Sequence, residues 1–137
     1  IVFAGTVHDA QHDFSSAIDS WVATQTPTNL MINIFSLSVT QNFLDSAGFH
    51  GMDESLTNNQ TIDPTFNAKV KRAKKALEQT VWPTEINTEA QALIVTLGLF
   101  SNSLAANNVT EATTLGGKVH DEQHDVSVLI DAWLSTH

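Results

Sequence analysis

Apolar residues recur along most of this chain at three- and four-residue intervals, and the interruptions fall at Pro, Gly and Asn. That periodicity is the signature of amphipathic helices. Val7, Gln11, Phe14, Ile18, Trp21 and Val22 predict a first helix over 6–24, with Thr6 as N-cap, Asp9 three residues later and Pro27 beyond the end. A second helix is predicted over 28–46. Leu30, Met31, Ile32, Ile34, Phe35, Leu37 and Val39 make its first half apolar nearly all round, which places it inside a bundle or against a ligand. Gly48 suits a left-handed cap at its end. Residues 49–63 are rich in Gly, Asn, Asp and Thr and read as a long loop.

Pro64 opens a third helix over 64–80, with Asp63 as N-cap. Trp82-Pro83 ends it. A fourth helix over 84–107 carries Ala90, Leu93, Ile94, Leu97, Phe100 and Leu104. Gly98 within it costs about 1 kcal/mol relative to Ala, so close packing is its expected justification. A short turn over 110–115 and a last helix over 118–135, separated by Gly116-Gly117, complete the series. No segment shows the alternation and hairpin signals of strands. The expected fold is all-α, a single domain over 1–137 built as a bundle of about five helices, its first and last pseudo-symmetric.

That symmetry comes from an internal repeat. Gly5-Thr6-Val7-His8-Asp9-Ala10-Gln11-His12-Asp13 matches Gly117-Lys118-Val119-His120-Asp121-Glu122-Gln123-His124-Asp125, and the match runs on through Ser15/Ser127, Ile18/Ile130, Asp19/Asp131 and Trp21/Trp133. The offset is 112 residues throughout, without a gap. The chain is therefore either one unit with symmetric ends or one unit plus the first helix of another.

The repeat holds four of the six histidines. His8 and His12, like His120 and His124, are four residues apart and stack on one helix face. Such a pair can chelate a metal, and convergence of the two copies would offer four imidazoles. Imidazole suits zinc, copper, nickel or iron. The expected metal ligands are His8, His12, His120 and His124, with Asp9, Asp13, Asp121 and Asp125 as ligands or as acceptors that orient the rings. Duplicated core helices would explain Val7, Ile18 and Trp21 but do not by themselves require His and Asp. Asp9 and Asp121 also suit first helical turns, where the dipole favours carboxylates. His50, between Gly48 and Gly51, reads as a loop residue. Leu30, Ile34, Phe35, Leu93, Leu97 and Phe100 are the expected lining of a site for an apolar small molecule, such as a polyene or fatty acid.

Composition narrows the options. At 137 residues the chain can bury a core, and with no cysteine it has neither disulfides nor thiolate ligands. A net charge of −9 argues against nucleic acid as a partner. The cations nevertheless cluster as Lys69, Lys71, Arg72, Lys74 and Lys75, a solvated face or a grip for an anionic head group. No apolar run is long enough to span a membrane. Sequons at Asn59 and Asn108 are N-glycosylation acceptors if the protein is secreted. The first residue is Ile1, consistent with a trimmed chain or a removed leader.

The His-Asp doublets differ from the helical HD phosphohydrolases, which carry one doublet and place the other ligands on different helices. The Val-His-Asp-x-Gln-His-Asp helices, the sequons, the absent cysteine and the apolar central helices together resemble small secreted fungal proteins that hold lipids or pigments, chromoproteins among them. The resemblance implies a non-enzymatic carrier of an apolar, acid-headed molecule, with a divalent, zinc-like metal holding its polar end. Two alternatives use the same residues: a metal-dependent enzyme, hydrolytic or oxygen-activating, and an interaction protein that forms an intertwined homodimer.

Overall fold

The computed structural model describes residues 2–24 and 28–137, and in the first helix the side chains of residues 7, 10–18, 20, 21 and 24. Among the described residues there are six α-helices and no strand: α1 (Val2–Thr24), α2 (Asn29–Ala47), α3 (Phe49–Asn59), α4 (Phe66–Gln79), α5 (Thr84–Ala105) and α6 (Val109–Thr136). The chain divides into two compact units, Ile1–Ile32 and Asn33–His137.

The first unit is α1 and the opening of α2. Thr28 caps α2: its hydroxyl accepts from the Met31 amide at 3.2 Å, and its carbonyl accepts from Ile32 at 3.1 Å. This satisfies amides that the first turn leaves without helical partners.

The second unit is a bundle of the remaining helices around one apolar core. The all-α expectation holds. α5 is its centre, packing on α4 and α6, while α6 also packs on α3. Leu93, Leu97 and Phe100 of α5 are fully buried. Gly98 faces α4, where a Cβ would lie 3.4 Å from the Lys74 side chain, so the close packing expected of it is with a neighbouring helix.

Four sequence expectations change. Residues 49–59 are helix, not loop. Phe49, Met52 and Leu56 recur at three and four residues and are buried, so tertiary burial of that narrow stripe overrides the turn-rich composition around it. Gly48, at φ 73°, makes the bend between α2 and α3, as its left-handed preference predicts. Second, α2 is not enclosed. Leu37, Thr40, Leu44 and Ala47 form one buried stripe, while Leu30, Phe35 and Phe43 are exposed. Thr40 bonds to Thr80, and Ser36 accepts from the Val81 amide at 2.8 Å, fixing α2 to the end of α4.

Third, α6 runs unbroken for 28 residues through Gly116-Gly117. The two glycines do not end a helix; they let another helix approach. A Cβ on Gly116 would stand 3.1 Å from Leu56 Cδ1 and 3.6 Å from Phe100 Cζ, and one on Gly117 would stand 3.5 Å from Asp53 Oδ1. This close approach stands against an intrinsic cost of about 1 kcal/mol per helical glycine. Asn108 caps α6, accepting from the Glu111 amide at 3.3 Å and donating to the Glu111 carboxylate at 2.9 Å.

Fourth, the start of α4 shifts by two residues: the helix begins at Phe66 with Thr65 in the N-cap position, so Pro64 is not its first residue and Asp63 lies two residues before the cap. The Asp63 carboxylate accepts from the Thr65 amide at 2.7 Å and the Thr65 hydroxyl at 2.6 Å, closing a turn before α4 begins. The Thr65 hydroxyl, then its amide, hold the Asp63 carboxyl below its ordinary value of 3.8, against a small opposing effect of burial, with Lys69 helping.

Candidate functional site

The close crossing at Gly116 and Gly117 brings polar side chains of α3 and α6 together one turn further along. His120 follows Gly117 by three residues on α6, and Asp53 precedes Leu56 by three on α3. Residues at that spacing share a helix face. His120 Nδ1 lies 3.2 Å from Asp53 Oδ2, and His120 Nε2 lies 3.2 Å from His50 Nδ1. His50 Nε2 in turn lies 3.3 Å from Glu54 Oε1 on the same helix. The result is a chain of side chains, Glu54–His50–His120–Asp53, with a carboxylate at each end and two imidazoles between.

The inner and outer halves differ in environment. The His120 and Asp53 side chains are 17% and 26% exposed, whereas those of His50 and Glu54 are 69% and 62% exposed. The inner pair is therefore shielded enough to hold its geometry, while solvent screens and weakens the outer pair. His124 lies one turn beyond His120, its ring centroid 5.0 Å away and tilted by 56°. The His50 and His120 rings meet edge to face at 4.9 Å.

Carboxylates only accept, so a fully bonded chain needs a proton in each of its gaps: Glu54–His50, His50–His120 and His120–Asp53. Two neutral imidazoles carry one N–H each. With both end bonds made, the facing nitrogens His50 Nδ1 and His120 Nε2 are two lone pairs 3.2 Å apart. A further proton between them would complete the chain.

Of the residues singled out from sequence, His120 is in this chain and His124 is beside it. Asp121 and Asp125 are exposed on α6. In α1, His12 and Asp13 are exposed, while His8 and Asp9 lie outside the described side chains. His50, expected in a loop, is a helical partner of His120. Asp53 and Glu54 carry no sequence signal apart from their spacing from His50 within the stripe of Phe49, Met52 and Leu56. Among the described residues, no three His, Asp or Glu side chains stand ready-made around one metal position.

The residues expected to line a ligand site separate. Leu93, Leu97 and Phe100 belong to the core, Ile34 packs against it, and Leu30 and Phe35 are exposed. A small cavity of about 190 Å³ instead lies between α2 and α4, lined by Phe43, Ser46, Ala47, Lys69, Arg72 and Ala73. Asn59 and Asn108 are both exposed. No helix among the described residues is long and apolar enough to cross a membrane. Comparison of the chain with family models, curated proteins and solved structures gives no match.

Proposed function

We propose that this protein binds a divalent, zinc-like metal ion between α3 and α6, with His50 Nδ1 and His120 Nε2 as the ligands. One observation carries the reading: the two nitrogens are 3.2 Å apart, with a carboxylate behind each ring. Two nitrogens bound tetrahedrally at roughly 2.0–2.1 Å from zinc lie about 3.3 Å from each other. The ion would take the place of the central proton, while Asp53 and Glu54 accept from the remote ring nitrogens, fix the tautomers and raise ligand basicity. A third position falls to His124, which is exposed with its ring 5.0 Å from that of His120. Solvent or the polar end of a bound molecule completes the sphere. The role is binding, not turnover, and the sequence motif contributes through its second copy.

Calorimetric titration of the chelator-treated full chain with zinc tests this. One ion per chain is expected, lost in His50→Ala and in His120→Ala and kept in a His8→Ala/His12→Ala double variant. Zinc binding that survives His50→Ala, or no binding by the parent chain, overturns it. Helical content by circular dichroism confirms that each variant is folded.

The cavity beside α4 favours a second, compatible reading. Lys69 and Arg72 stand next to Phe43, Ala47 and Ala73, which pairs cations with an apolar wall. That chemistry suits the acid-headed apolar molecule expected from sequence, here held by the basic helix. Titration with a medium-chain fatty acid is expected to broaden and shift the amide signals of α2 and α4, and Arg72→Ala to weaken the effect. Secretion belongs to the same proposal, supported by the exposure of both sequon asparagines.

A further inference from the structure

The two copies of the repeat have opposite fates. Val119, Val126, Ile130 and Trp133 of α6 are 0, 0, 0 and 8% exposed, buried in the core that α3 and α5 share with α6. Their counterparts in α1, at the constant offset of 112 residues, are Val7, Phe14, Ile18 and Trp21. These are 68, 69, 37 and 58% exposed. The same apolar stripe that closes one bundle is thus left open to solvent on α1. Scattered exposed apolar residues are ordinary, but an aligned stripe of this size marks a contact surface.

The repeat also says what the stripe fits. Val7, Ile18 and Trp21 are identical to Val119, Ile130 and Trp133, which α6 buries in the core of its own module. Two exchanges on the apolar face offset each other: Phe14 is larger than Val126, and Ala17, one turn on, is smaller than Leu129. Apolar cores tolerate exchanges of that kind when total volume is kept. Polar positions agree as well, with Gln11, His12, Asp13 and Ser15 matching Gln123, His124, Asp125 and Ser127. A separate copy of this chain does not offer the groove, because its own α6 already occupies it.

We propose that α1 docks into the groove of another module of this same kind, joined in tandem, at the place that α6 fills in its own module, so that α1 is that module's closing helix. The module described by α2–α6 and its α1 neighbour would then repeat every 112 residues.

The test joins a second copy of residues 28–116 directly ahead of Gly5 of the chain, so that α1 continues that copy as α6 continues its own module. Hydrogen exchange is followed by mass spectrometry in peptides covering 7–22 and 119–134, in the parent and tandem chains. Docking is expected to slow exchange in 7–22 by roughly 100-fold or more, toward the protection of a packed core helix. The substitution Ile18→Asp in the tandem chain removes that gain and leaves 119–134 unchanged. Equal, fast exchange of 7–22 in both chains overturns the proposal. So does strong protection of 7–22 in the parent chain, whether it sediments as a dimer, which assigns the stripe to a second copy, or as a monomer, which assigns it to the chain itself.

Discussion

His120 turns one ring nitrogen to Asp53 and the other to His50, each at 3.2 Å, so a single side chain joins a shielded carboxylate to an exposed imidazole. The two carboxylates at the ends are unequal supports for any ion bound between the rings. Asp53 is the less exposed and fixes the better-buried ring. Zinc affinity is therefore expected to fall by roughly 10–100-fold in Asp53→Ala. Glu54→Ala should lower it less, since Glu54 and His50 keep freedom at the surface. Calorimetry on both variants checks the order, and a larger loss in Glu54→Ala contradicts the shielding argument.

Glycine substitutions separate space from helix propensity. Gly51 lies in α3 with nothing within 4 Å of the place a methyl group would occupy, and Gly98 would meet only the flexible Lys74 stem. Gly51→Ala and Gly98→Ala are each expected to stabilise by up to about 1 kcal/mol. Gly116→Ala gains the same propensity but presses on Leu56 and Phe100, both fully buried, at a cost of about 1–3 kcal/mol. It should therefore be neutral to destabilising. Urea melts of the three variants rank them.

Leu56 is the core residue on which the α3–α6 crossing depends. Leu56→Ala is expected to destabilise by about 2–5 kcal/mol through lost apolar transfer and the cavity left behind. A loss below about 1 kcal/mol in a denaturant melt would mean that α3 is not anchored as described.

Asp63 sets an acid dependence. Its carboxyl is held below its ordinary value of 3.8 in the folded chain, so the folded state favours the ionised form. The contribution is complete above that ordinary value and is lost as pH falls through the lowered one. Asp63→Ala is therefore less stable than the parent near neutrality, and the two converge as the acid limb is descended. Denaturant midpoints measured from neutral pH downward test the convergence.

Much of the helix layout is legible in the sequence because apolar spacing and turn residues agree. α5 shows this, with its long run of buried positions from Ile86 to Leu104. α3 is hidden because its polar residues outnumber a stripe of only Phe49, Met52 and Leu56, and burial decides there what propensity does not. The glycine pair in α6 misleads for a related reason: a helix break and a close crossing leave the same mark in sequence. Half of the candidate site is concealed with them. His120 stands out because it is repeated, while His50 and Asp53 become visible only once α3 is a helix lying across α6. The exposure of Phe35 on α2 likewise depends on which neighbour covers it, and periodicity within one helix carries no such information.

Gly116 works as a ruler with errors of one sign. Every replacement adds atoms, and the first of them meets the Leu56 side chain at 3.1 Å and the Phe100 ring at 3.6 Å. Drift at this position can only crowd the crossing of the helices that carry His50 and His120, and has no means of tightening it. The facing imidazoles are therefore tuned from below by a residue that touches neither of them.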